Sequence, residues 1–139
     1  MADTRRSSLK FFFDNNVSVN LARGLRALEG ANSVVDILHC SDRWENGEID
    51  DVDWIPVIAE EGRCILTFDA RILTNPLERI AYRNHHAILL VPCKAFRKKN
   101  YWAQVVWLIK CWSGIKSWLD LTPNPGAYEL QQNGIIRRL

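Results

Sequence analysis

DVDWIPVIAEEGRCILTFDARI, residues 51–72, decides the fold. In its first half Trp54, Ile55, Ile58 and Ala59 share one face of a helix. Asp50 or Asp51 stands at the cap position and Gly62 follows the last turn. In its second half Arg63 to Phe68 reads as a strand that stops at an acid, Asp69. A helix that runs through one glycine into a buried strand is half of a parallel βαβ unit.

The same grammar extends in both directions. Upstream, Leu9 to Phe13 is a short apolar run that ends abruptly in Asp14-Asn15-Asn16, as a buried strand of a parallel sheet does. A helix follows, with Ser18 as cap, Leu21, Leu25 and Leu28 at i, i+4 and i+7, and Gly30 past its end. Ser33 to His39 reads as a second strand, and the polar stretch to Asp50, which holds Asn46-Gly47, as a loop. Downstream, Asn75-Pro76-Leu77-Glu78 is a helix start: Asn caps, Pro fits the first position and Glu reaches back. His86 to Val91 is a fourth strand. Asn100 to Leu119 is the longest helix, with Trp102, Val105, Val106, Ile109 and Trp112 as its expected core stripe. Asn133-Gly134 signals a small terminal hairpin. The pattern implies an α/β fold of three layers, with a parallel central sheet of about four strands between helices. Residues 1–8 read as a flexible tail and 9–139 as one domain.

The 139 residues suffice for one core. At 47% hydrophobic and 24% charged, the composition is that of a globular protein. No run approaches the roughly 20 apolar residues of a membrane span, and the N-terminus lacks the apolar core of a secretory signal. Four cysteines without a C-x-x-C pair argue against structural zinc and for reduced thiols, hence a cytoplasmic location. A net charge of +2 does not announce nucleic acid.

Chemistry is expected beyond the carboxyl ends of the strands. Asp14 and Asp69 both end strands, and Asp50, Asp51 and Asp53 open a helix on the same edge. Crowded carboxylates repel and call for a hard cation, for which Mg²⁺ or Mn²⁺ is suited. Such an ion supports hydrolysis of a phosphodiester. The bland alternative is that these acids are only caps and turns.

FFFDNN (11–16) with the helix after it, DVDWIPVIAEEG (51–62) running into RCILTFDARI (63–72), and NPLERIAY (75–82) together resemble the PIN-like domains related to VapC toxins of bacterial toxin–antitoxin loci. The resemblance spans roughly residues 9 to 92. It implies a three-layer α/β/α fold and a Mg²⁺- or Mn²⁺-dependent endoribonuclease with three or four acidic ligands. Asp14 and Asp69 match two of them. Asp51 and Asp53 both lie where the family places another, with Asp53 slightly favoured. Two helical residues so spaced point about 200° apart, so both do not face one ion. Arg71 matches a basic residue suited to substrate phosphate. The fourth strand ends in Val91-Pro92-Cys93-Lys94, where the family carries a further acid. The resemblance also implies an antitoxin partner and a homodimer.

Beyond the motifs, Lys94, Arg97, Lys98 and Lys99 follow the fourth strand on the same edge and are candidates to line an RNA path, with Phe96, Tyr101 and Trp102 interleaved for base stacking. Asn15 is either a turn residue or a water-positioning one. Two other readings compete: a weak or inactive PIN-like binding module, and a receiver-like phosphoacceptor in which Lys94 is the receiver's lysine. Against the receiver stand a strand count short of five and the sequence Asp14-Asn15 in place of an acidic pair.

Overall fold

The computed structural model describes residues 8–31, 33–45 and 49–139. Most of the expected tail and the Asn46-Gly47 loop lie outside the described residues. The elements run β1 (Leu9–Phe13), α1 (Val19–Glu29), β2 (Val35–His39), α2 (Asp51–Glu60), β3 (Cys64–Leu66), α3 (Pro76–Asn84), β4 (Ile88–Pro92), α4 (Lys94–Arg97), α5 (Tyr101–Asp120), β5 (Gly126–Leu130) and β6 (Ile136–Arg138). Short 3-10 turns follow β2 (Cys40–Asp42) and precede α3 (Ala70–Leu73).

One six-stranded sheet runs in the order β2-β1-β3-β4-β5-β6, parallel except for β6. It is larger than the four strands expected. β5 does not form a detached hairpin; it adds parallel to β4, pairing Leu90 with Tyr128, and β6 returns antiparallel on the outside. The sequence shows the turn but not the partner of its first strand. β1 sits between β2 and β3, so the chain winds outward in both directions from it.

β1 shows how the layers form. Successive strand residues point to opposite faces. Phe11 and Phe13 enter the core shared with α1 and α5, and Phe12 enters the core shared with α2 and α3. All three are buried; full burial of such a side chain stabilises by about 2 kcal/mol. Leu28, one residue before the end of α1, is exposed, and the helix buries Leu21, Ala22 and Leu25 instead.

On α5 the expected stripe is corrected. The buried residues are Trp107, Leu108, Trp112 and Ile115, while Trp102 (75% exposed), Val106 and Ile109 face outward. This helix is apolar nearly all round, so periodicity alone does not fix its rotation. Tertiary contacts do: the Trp112 ring lies 4.7 Å from that of Phe11 and 6.1 Å from that of Phe13, and Lys116 pairs with Glu29 at 3.0 Å.

Candidate active site

β1 and β3 are hydrogen-bonded neighbours, and the amide of Asp14 donates to Leu66 O at 3.0 Å. The residues that follow the two strands therefore meet at the carboxyl edge of the sheet. A cleft of about 280 Å³ opens there, lined by Asp14, Asn15, Asn16, Cys40, Ile49, Asp51, Trp54, Asp69 and Arg71.

Asp14 is 5% exposed and is held by neutral donors only. Its Oδ1 accepts the Asn15 amide at 2.6 Å, and its Oδ2 accepts the Thr67 hydroxyl at 2.9 Å and the Asn16 side-chain amide at 3.3 Å. The Asn15 side chain is exposed and its backbone makes the turn. Asn16 is the working asparagine: its Oδ1 also accepts the Phe68 amide at 2.9 Å and so ties the two strand ends together. Thr67, fully buried, accepts the Asp69 amide at 3.1 Å. Asn16 and Thr67 stand in quoted motifs, FFFDNN and ILTFD, yet only the folded arrangement reveals their part.

The third acid is Asp51. Its Oδ1 accepts the Trp54 indole N–H at 2.8 Å, an i, i+3 contact on α2 that fixes the carboxylate over the cleft. Asp53 is exposed and does not line the cleft. Helix phase, not the slight preference for Asp53, decides which of the two faces the cleft: α2 begins at Asp51 and buries Trp54, Ile55 and Ile58, which turns Asp53 to solvent. Asp50 holds the cap position without a side-chain cap bond.

A fourth carboxylate, Glu78, abuts Asp51 from α3. The reach back to the helix cap expected of it is not made; Asn75 alone caps the helix, accepting from Leu77 N and Glu78 N. Burial first, then the adjoining Asp51 carboxylate, pushes Glu78 up to about 7. Its Oε2 is buried with no hydrogen-bond partner. Asp14 is likewise raised, by burial and then by the charge of Asp51. The Cys40 thiol is pushed up to about 11 by burial and the same two aspartates. Asp69 moves the other way. Arg71 donates to both its oxygens, with Nη2 to Oδ2 at 2.6 Å, and holds it below the usual carboxylate range.

Arg71 itself is 85% exposed. Arg97 on α4 lies near enough to help lower Asp69 and donates to Pro92 O at 2.8 Å. Lys94, Lys98 and Lys99 are exposed on and just after α4, and none lines the acidic cleft. Lys99 sits 5.6 Å from the centre of the Phe96 ring, and Tyr101 and Trp102 stack on each other, 5.4 Å between ring centres.

The donor set fits a hard divalent ion by its chemistry: oxygen ligands, excess negative charge and an orphaned buried oxygen on Glu78. As placed, no three Asp, Glu, His or Cys side chains among the described residues converge enough to hold an ion. Asp69 is turned to Arg71 and Asp14 to Thr67.

A family model described as a PIN-like domain matches residues 9–93. No curated protein and no solved structure gives a significant match.

Proposed function

The chain belongs to the PIN-like domain family, and from that premise we propose that it is a Mg²⁺- or Mn²⁺-dependent endoribonuclease. Members of this family are generally nucleases, which supports hydrolysis of phosphodiesters in the coarse sense. The observation that carries the finer reading is the uncompensated charge of the cleft: Asp14 is buried beside Asp51 with no cation paired to it among the described residues. In this reading Asp14, Asp51 and Asp69 hold the ion and Glu78 backs Asp51. When bound, the ion supplies charge neutralisation at the phosphoryl group and a nucleophilic water.

The chain's own groups do the rest. Thr67 and Asn16 anchor Asp14 in the wall of the cleft. Arg71 leaves Asp69 for a phosphate oxygen and stabilises the charge that develops there. Arg97, with Lys94, Lys98 and Lys99 beyond it, offers a cationic approach for RNA. The purified chain should cut RNA with Mn²⁺ and stop with EDTA. Asp14→Asn should lower the rate by about a hundredfold or more. Equal cutting by the mutant, or equal cutting in EDTA, would remove the active-site assignment.

We assign the chain the role of toxin in a type II toxin–antitoxin pair, working in the cytoplasm. No helix among the described residues is long and apolar enough to cross a membrane. The outward face of α5, with Trp102, Val106 and Ile109, is the surface on which an antitoxin or a second copy would sit. Copurification with the product of an adjacent small gene tests that role. The weak or inactive binding module is the second reading, and the unconverged carboxylates favour it. The sheet does hold the five parallel strands a receiver needs, contrary to expectation. Lys94 nonetheless lies outside the acidic cleft and Asp69 is clasped by Arg71, which disfavours a phosphoacceptor.

A further inference from the structure

A second charged cleft lies at the opposite edge of the sheet, where β4 and β5 begin and β6 ends. Its volume is about 360 Å³. Arg79 and Arg83 reach it from α3, His86 from the turn after that helix, and Arg138 from β6. Among the described residues no Asp or Glu lines it.

Arg79 and Arg83 stand at i and i+4, where like charges oppose each other by roughly 0.2–0.5 kcal/mol on a helix. Neither forms an ion pair among the described residues. The helix dipole accounts for Arg83, in the last turn of α3. It does not account for Arg79, one turn earlier, or for Arg138 on a strand.

Arg138 is held in place. It donates to Pro125 O at 2.9 Å and to Tyr128 Oη at 3.0 Å, and its guanidinium lies 5.5 Å from the centre of the Tyr128 ring. Gly126, at φ +145°, makes room for it: a Cβ there would stand 2.9 Å from the guanidinium. A guanidinium carries five N–H donors, so these two bonds leave others for a ligand. A fixed arginine facing two unpaired ones, with Leu73 and Tyr82 also in the wall, suits a tetrahedral oxyanion attached to a flatter body.

We propose that this cleft binds a phosphate group, carried by a free nucleotide or by the backbone of an RNA strand. The proposal stands apart from the acidic cleft and does not depend on nuclease activity. The test uses the full chain carrying Asp14→Asn, in about 0.1 M salt to limit non-specific attraction. ADP and inorganic phosphate are titrated by calorimetry, and a short fluorescein-labelled RNA by anisotropy. The comparison is with the same chain carrying Arg79→Glu and Arg83→Glu. Both positions are exposed, so circular dichroism should be unchanged; Arg83→Gln gives a milder version. Weakening of ADP binding by about tenfold or more identifies a nucleotide site. Weakening of RNA binding alone, with no ADP uptake, identifies a backbone site. If binding of all three probes is the same in both chains, the proposal is wrong.

Discussion

Two clusters of carboxylates in this molecule meet opposite fates. At the end of α2, Glu61 accepts from Arg43, with Nη2 to Oε1 at 2.7 Å, and from Arg63 Nε at 2.9 Å, and these partners pull it down to about 2. Arg63, buried, also reaches Phe11 O at 3.2 Å and Asp36, and so pins α2 and β2 to the central strand. At the other end of the same helix, Asp51 meets Glu78 and faces Asp14 with no arginine between them, and Glu78 rises to about 7. One helix thus carries a compensated cluster at its end and an uncompensated one at its start. Ion pairs complete the first as structure. The second is costly to the fold and available for chemistry.

That contrast can be broken most sharply at the uncompensated end. Asp51→Asn should lower metal-dependent RNA cleavage by about a hundredfold, while Asp53→Asn should leave it within about twofold, because Asp53 faces solvent. Rates on a labelled RNA decide between them. The reverse ranking would undo the helix-phase argument.

At the compensated end, Arg63→Ala should destabilise the chain by about 2–4 kcal/mol, since it strands buried partners. Urea unfolding measures this, and a change below about 1 kcal/mol would deny Arg63 its pinning role.

Glu78→Gln should act in the opposite direction. The folded state raises Glu78 from 4.5 to about 7, so it holds a proton that the unfolded chain releases. The stability this confers is complete below about pH 4.5 and is lost as pH rises through 7. Partial exposure screens the effect, so the substitution should stabilise by about 1–2 kcal/mol at pH 8 and flatten the profile between those pH values. Glu61 has the mirror-image profile: its contribution is present above pH 4.5 and lost as pH falls toward 2. Arg43→Ala, at a half-exposed pair, should cost no more than about 1 kcal/mol at neutral pH, and less at pH 3.

Where local chemistry fixes an element, the sequence is a good guide. The run at Leu9–Phe13 and the Ser18 and Asn75 caps are each decided within a few residues, and the structure places them as read, whereas the third strand stops at Leu66 and Asp69 instead caps the 3-10 turn that follows. The errors fall where a distant partner decides. Glu78 reads as a capping acid because its four-residue motif says so, but α2 brings Asp51 beside it. Asp53 is slightly favoured over Asp51 until the indole of Trp54 and the start of α2 set the phase. The rotation of α5 is chosen by Phe11 and Phe13, about a hundred residues before Trp112. The acid expected after β4 is absent, and Glu78, from a different element, is the fourth carboxylate beside the cleft.

Under the proposed function, the uncompensated carboxylates form a divalent-cation site. Titration of Mn²⁺ into the purified chain at pH 7, followed by electron paramagnetic resonance of the free ion, measures it without reference to any RNA. Saturable binding is expected in the wild type, with proton release as Glu78 gives way to the ion, and its loss in Asp14→Asn. Binding of equal strength in Asp14→Asn, or none in the wild type, would contradict it.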